Sequence, residues 1–111
     1  KLPFLTEILR QEWGFKGYVV SDSEAVEFIS NKHKVADTYE DGIAQAVNAG
    51  LNIRTHFTPP ADFILPLRKA VDDGKISQET LDKRVARYFV SNSGWDYLTI
   101  PIVAMVNKQN K

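Results

Sequence analysis

A short apolar run leads directly to a carboxylate in the segment Gly17-Tyr18-Val19-Val20-Ser21-Asp22, and the prediction of the fold starts from this segment. A short run that opens with glycine and is rich in β-branched and aromatic residues predicts a buried strand. In barrels, the C-terminal ends of parallel strands present the functional side chains. Asp22 is therefore a candidate functional carboxylate. The alternative is that an aspartate after a strand only caps the next helix or starts a turn.

A second short strand is predicted at Leu51-Asn52-Ile53-Arg54, where two prolines at 59 and 60 stop the extended chain. The helix before this strand has apolar residues on one face from Tyr39 to Val47 and ends at Gly50, a usual residue just past a helix end. Strand, loop, helix and strand in this order predict two parallel neighbours in one sheet.

Three further helices are predicted around these strands. The first has an apolar stripe near residues 5–9, the next spans Phe63 to Val71 with an interruption or restart at Pro66, and the last begins after Ser77 as N-cap. Residues 23–37 have a mixed pattern, which predicts a long loop with a helical turn.

Composition limits the function classes. The 111 residues correspond to one domain or to a piece of a larger protein, and the start without Met favours a piece. Fourteen basic residues offset fourteen acidic ones, which argues against a nucleic-acid partner. No segment predicts a membrane span, and the absence of cysteine excludes disulfides and thiolate metal sites. Localisation is not indicated.

Several motifs occur together in a characteristic order. They are the segments 14–22 (GFKGYVVSD), 24–26 (EAV), 48–52 (NAGLN), 65–68 (LPLR) and 82–85 (DKRV). This set resembles glycoside hydrolase family 3, nearest to its β-glucosidase and β-xylosidase members. The resemblance covers Leu2 to about Arg87 and implies that residues 1–87 are the C-terminal portion of the family's N-terminal barrel domain. The implied fold class is α/β, an incomplete (β/α)₈ (TIM-type) barrel with about two parallel strands and three to four helices.

The resemblance also implies a chemistry. In the family, the aspartate of the VVSD motif is the catalytic nucleophile, and that role falls on Asp22. The parent enzyme would be a retaining, exo-acting β-glycosidase that hydrolyses terminal β-linked sugars from an oligosaccharide or glycoside substrate. The family's general acid/base usually comes from a following domain, and its sugar-binding Asp, Arg and Lys-His residues come from earlier strands. We expect these groups to lie outside this chain, and Lys32-His33 is not that Lys-His pair because it follows the nucleophile.

Three other residues are candidates for substrate binding. Ser23 stands where many relatives have a tryptophan that stacks on the sugar, and Glu24 follows it. Both are predicted to line the leaving-group side, with the alternative that Glu24 simply starts the next helical turn. Arg54, at the exit of the second strand, is a weaker candidate at the same barrel end. His33 and His56 are predicted to be loop residues, and we predict no metal and no cofactor.

Residues 88–111 depart from the family pattern. Codons compatible with Tyr88 to Asn110, displaced by one nucleotide, can encode ILRVKFGLGLFDHPYRGDGKQAE, which is typical of the family at this point. We therefore predict a frameshifted, non-family tail, in which residues 100–106 are an apolar run prone to aggregation. Two function hypotheses follow: part of a β-glucosidase or β-xylosidase, or a catalytically inactive remnant or small α/β binding module.

Overall fold

The computed structural model describes residues 4–93, and in this range the backbone forms helices. They are a π-helix at Phe4–Glu12, then α1 at Ala25–Asn31, α2 at Tyr39–Ala49, α3 at Ala61–Asp72 and α4 at Gln78–Ser93. Of the predicted tail 88–111, residues 88–93 lie in α4, and residues 94–111, with the apolar run at 100–106, lie outside the described residues. No helix of the described part is both long and apolar enough to cross a membrane.

The core forms around α2. Ile43 and Val47 are buried, as the periodic pattern predicts, and Ala44 is buried with them. Tyr39 and Ala46, the other members of the predicted face, are partly buried against this core. Val26 of α1 packs into the same cluster. Its other buried members are Leu51, which follows α2, Ala70 in α3, and Ile76, which follows α3.

The ends of α2 explain why its bounds were predictable. The Thr38 hydroxyl accepts from the Asp41 N–H at 3.1 Å as the N-cap. Gly50 has φ 131°, and a Cβ at this position would lie 2.9 Å from the Leu5 Cβ of the π-helix. A glycine is therefore needed here both for the backbone angle and for the close approach of the π-helix.

Two helices differ from the sequence prediction. Residues 25–31 form α1, where a loop with one helical turn was predicted, because burial of Val26 supplies tertiary stabilisation that the mixed local pattern does not reveal. Helix α3 continues through Pro66, where an interruption was predicted. The last helix begins as predicted, with the Ser77 hydroxyl accepting from the Thr80 N–H at 3.1 Å.

The two predicted strands meet in one parallel bridge, between Val20 and Ile53. Within residues 4–93 the structure has no β-strand and five helices, against the two strands and three to four helices predicted. Side chains end the ladder on both sides. The Val19 N–H donates to the Asn52 Oδ1 at 2.9 Å, and the Thr55 N–H donates to the Ser21 Oγ at 2.9 Å. Both amides would pair with backbone carbonyls in a longer parallel ladder.

Candidate active site

Asp22 lies two residues beyond the bridge residue Val20, at the C-terminal end of this extended segment. Its side chain is exposed, and its Oδ1 accepts from the Ser23 N–H at 2.7 Å. The Asp22 carbonyl accepts from the Ala25 N–H at 3.2 Å, so the backbone turns directly into α1. Within residues 4–93 the carboxylate makes no bond to the first turn of α1, which argues against a helix-capping role.

Glu24 is the N-cap residue of α1 and has φ 63°, ψ 0°. Left-handed backbone angles are strained for residues other than glycine, and such strain persists only where the surroundings impose it. Its side chain makes no capping bond, and its carboxylate lies 3.8 Å from the His56 Nε2. The backbone of Glu24 therefore fits the alternative that this residue starts the next helical turn.

His56 follows the second extended segment, and its ring is largely enclosed. The Nδ1 atom accepts from the Thr58 N–H at 3.0 Å, which leaves Nε2 as the nitrogen that faces Glu24. In the described part of the chain, no group of three or more His, Asp or Glu side chains could hold a metal ion.

A cluster of charged and aromatic residues lies beside this loop. The Oε1 atom of Glu27, in α1, accepts from Arg54 Nε at 2.7 Å, from Arg54 Nη2, and from the Tyr39 hydroxyl at 2.6 Å. Arg54 Nη2 also donates to the Thr58 hydroxyl at 3.0 Å, and its guanidinium lies 5.3 Å from the centre of the Phe63 ring. The side chains of Arg54 and Glu27 are only 7% and 16% exposed. We call Glu27, Arg54, Tyr39 and Phe63 the exit cluster.

The exit cluster changes the protonation equilibria of two of its members. Burial alone raises the pKa of Glu27, but the hydrogen bonds from Tyr39 and Arg54 favour the carboxylate and bring the net pKa below its usual value. Burial and the hydrogen bond to Glu27 strongly raise the pKa of the Tyr39 phenol. At neutral pH the cluster therefore contains an ionised carboxylate, a guanidinium and a neutral phenol.

Two depressions border these elements. A cavity of about 230 Å³ next to the exit cluster is lined by polar side chains, among them Glu27, Asp62 and Asn31. Oε2 of Glu27 is buried and has no hydrogen-bond partner in the described residues. A wider groove of about 870 Å³ lies between the π-helix, α2 and the segment 34–37, with Asp37 and Lys75 in its lining.

Comparison with known proteins identifies the family. Residues 2–90 match the family described as Glycosyl hydrolase family 3 N terminal domain. The chain belongs to glycoside hydrolase family 3. This membership confirms the resemblance inferred from the motifs.

Individual relatives agree with the family match. The chain is 37% identical over 83 residues to the xylan 1,4-beta-xylosidase of Xylanibacter ruminicola, covering 75% of this chain and 9% of the relative. It is 37% identical over 87 residues to the probable beta-glucosidase J of Emericella nidulans, covering 75% and 8%. The structure of a β-glucosidase from Erythrobacter marinus matches with a TM-score of 0.68 at 30% identity, covering 80% of this chain and 11% of that one. This family 3 chain thus spans about a tenth of the length of such relatives.

The structure brings three of the four predicted site residues of this family 3 chain together along one turn. Asp22 and Glu24 are exposed and Ser23 is half-buried between them. Arg54 lies at the same end of the bridge, but its Nε and Nη2 atoms are bonded to Glu27.

Glu27 and Tyr39 were not predicted as site residues. A basic residue at a buried strand exit, such as Arg54, requires a nearby carboxylate, and this requirement was the only indication that an acidic partner exists. It does not say which carboxylate of the sequence is the partner.

Proposed function

We propose that this chain is the part of a retaining, exo-acting β-glycosidase of the β-glucosidase or β-xylosidase kind that contributes the nucleophile Asp22. The supporting observation is an exposed carboxylate just beyond a parallel bridge, in a chain that belongs to glycoside hydrolase family 3. Relatives named as xylosidases and glucosidases suggest a terminal β-linked xylose or glucose as the sugar that is released.

In the proposed reaction an Asp22 carboxylate oxygen forms a bond to the anomeric carbon while the bond to the leaving oxygen breaks. The leaving oxygen keeps the electron pair of the broken bond and takes a proton from a second carboxyl group, which in retaining enzymes lies ~5 to 5.5 Å from the nucleophile. Water then attacks the anomeric carbon and gives a proton to that second carboxylate, while the bond to Asp22 breaks and its electron pair returns to the Asp22 carboxylate. We assign no residue of this chain to the second carboxyl group. In the parent enzyme it would come from another domain.

The surroundings of Asp22 suggest roles for its neighbours. Ser23 and Glu24 follow it on the same turn and would line the leaving-group side of the sugar site. Arg54 would contact substrate only through Nη1, because its other two nitrogens donate to Glu27 and Thr58. In the parent protein the segments around Val20 and Ile53 would be neighbouring parallel strands of a (β/α)₈ barrel.

A non-catalytic chain, either a remnant or a small α/β binding module, is the second candidate. The observation that favours it is exposure at the bridge itself: Val20 is 47% exposed in this chain alone. A barrel strand that is paired and covered would bury such a residue. In this alternative Asp22 keeps its position but has no reacting partner.

The test is hydrolysis of 4-nitrophenyl β-xyloside and β-glucoside by a protein that joins this chain to the parts proposed to supply the sugar-binding residues and the second carboxyl group. We expect turnover that falls by about 10³-fold or more in Asp22→Ala, because loss of a nucleophile removes the covalent route. The matched control is Asp72→Asn, which neutralises an exposed carboxylate at the end of α3 and should leave turnover unchanged.

Labelling with a 2-deoxy-2-fluoro glycoside identifies the attacked residue. We expect one added glycosyl mass on the peptide that contains Asp22. Turnover that survives Asp22→Ala would refute the nucleophile assignment. A folded wild-type protein with all of these parts that shows neither turnover nor label would support the non-catalytic candidate.

A further inference from the structure

We propose that Glu27 and Arg54 form a positioning pair for the turn Asp22–Glu24, holding α1 so that Asp22 is presented in one orientation. The inference rests on the proposed role of Asp22. It assigns Glu27 a role that acts through Asp22, and it gives Nε and Nη2 of Arg54 a positioning role that is separate from the proposed substrate contact of Nη1.

Ser21 holds the N-terminal end of the turn through two hydrogen bonds. The Ser21 N–H donates to the Ile53 carbonyl at 2.9 Å, and the Ser21 hydroxyl accepts from the Thr55 N–H at 2.9 Å. Two short bonds to one neighbouring segment fix where the turn begins. They leave the direction in which it continues undetermined.

The Glu27–Arg54 pair holds the C-terminal end of the turn, where α1 begins. Glu27 lies in the first turn of α1, and Arg54 lies between the two residues that hold Ser21. Both attachments of the turn therefore go to the segment Ile53–Thr55. Charge-assisted bonds between largely buried groups are among the stronger polar contacts in proteins, and salt screens them little.

The pair is itself held by the core. The Tyr39 hydroxyl donates to the same Glu27 oxygen from the first residue of α2, and the Phe63 ring of α3 packs against the Arg54 guanidinium. Ile43 of α2 and Ala70 of α3 are fully buried, so the pair connects α1 to two helices that are anchored in the core. An ion pair on the surface would not connect α1 to the core.

The strain at Glu24 explains why a second attachment is needed. Its φ of 63° is unfavourable for a residue with a side chain, and the turn would relax if α1 could shift. Relaxation would break the bond from the Ala25 N–H to the Asp22 carbonyl and the bond from the Phe28 N–H to the Glu24 carbonyl. Those two amides therefore report whether the turn is held.

The experiment is amide hydrogen exchange by NMR on the ¹⁵N-labelled 111-residue chain. In Glu27→Gln we expect exchange at Ala25 and Phe28 to rise about tenfold more than at Gly50, because a neutral amide accepts more weakly from Arg54. The matched control is Glu79→Gln, which disrupts the exposed ion pair with Lys83 in α4 and should leave all three amides unchanged.

A rescue variant separates positioning from general stability. Adding Glu24→Gly to Glu27→Gln should restore protection at Ala25, because glycine adopts φ 63° without strain. Equal acceleration at Ala25 and Gly50, unchanged exchange at Ala25, or no rescue would overturn the inference. If Glu27→Gln does not fold, Arg54→Lys gives the same comparison, since lysine keeps the charge but loses the two-point contact.

Exchange needs no turnover, so this result is independent of the hydrolysis assay. Loss of the differential exchange refutes the positioning pair. Turnover that persists in Asp22→Ala refutes the proposed nucleophile.

Discussion

The two ends of the Val20–Ile53 bridge are built from different chemistry. At the entry end the Asn52 side chain takes the place of a backbone carbonyl, and at the exit end the Ser21 hydroxyl does the same for Thr55. Beyond these points the surroundings diverge. The entry end satisfies backbone groups, whereas the exit end has an ion pair, a strained residue and an exposed carboxylate.

The entry network links three distant parts of the chain through Asn52. Its Oδ1 accepts from Arg10 Nη2 at 2.7 Å, and its Nδ2 donates to the Arg84 carbonyl at 2.9 Å. Arg84 in turn donates through Nε to the Val47 carbonyl at 2.8 Å, near the end of α2. The pKa of Arg10 is lowered by burial and by the nearby positive charges of Arg87 and Arg84.

The difference separates an end whose hydrogen bonds stabilise the fold from an end that carries the proposed nucleophile. In barrel enzymes the N-terminal ends of the strands serve stability and the C-terminal ends hold the reacting groups. The proposed role of Asp22 would place the reacting group of this chain at the corresponding end.

The largest expected effect is at the entry end. Asn52→Ala leaves the Val19 N–H and the Arg84 carbonyl without this partner, and Arg10 Nη2 keeps only its 3.5 Å bond to the Gly50 carbonyl, so we expect the free energy of unfolding to fall by about 3 kcal/mol. Urea unfolding followed by circular dichroism measures it.

The control for Asn52 is Asn48→Ala. Asn48 makes an exposed bond from Nδ2 to the Lys75 carbonyl at 2.8 Å, and we expect its loss to cost less than about 1 kcal/mol. Equal effects of the two substitutions would contradict the view that the entry network stabilises the fold.

A smaller effect is expected from Glu27→Gln at the exit end. Arg54 keeps a partner of the same shape but loses its counter-charge, and we expect a loss of about 2 kcal/mol at pH 7. The pKa of Glu27 is lower in the folded chain than its ordinary value of 4.5, so this stabilisation is fully present above that value. It is lost as the pH falls through the folded pKa.

The stability difference between wild type and Glu27→Gln should therefore be constant from neutral pH to about pH 6 and shrink in more acidic solution. Urea midpoints across this range measure it. A difference that grows on acidification would show that burial, which raises the pKa, outweighs the hydrogen bonds.

The smallest effect is expected from Tyr39→Phe. The substitution removes one of the three bonds to Glu27 Oε1 and leaves the ion pair with Arg54 intact, so we expect a loss of about 1 kcal/mol. It should also weaken the acid dependence, since the phenol helps to keep Glu27 ionised. A loss as large as that of Glu27→Gln would mean that the phenol, and not the guanidinium, is the main partner of Glu27.

Local chemistry explains which parts of the fold could be predicted from sequence. The end of α2 follows from Gly50 beyond it, its extent follows from the apolar face between Tyr39 and Val47, and the start of α4 follows from Ser77. The position of Asp22 next to an extended segment was likewise indicated by the run Tyr18–Ser21 that precedes it.

The predictions that were wrong concern elements that depend on contacts between distant residues. Helix α1 forms because Val26 is buried and Glu27 is bonded to Arg54, two facts that no window around residues 23–37 contains. The two strands were predicted from their composition, but the side chains of Asn52 and Ser21 take two of the amides that a longer ladder would use.

The family, the end of α2 at Gly50, the start of α4 at Ser77 and the order of motifs that leads to Asp22 could be read from the sequence, because they depend on residue identity and short-range geometry. The pairing of Arg54 with Glu27 and the strained turn at Glu24 became visible only in the folded chain. The physical reason is that charge pairing and backbone strain depend on distances across 27 residues of chain, from Glu27 to Arg54, which local propensity does not specify.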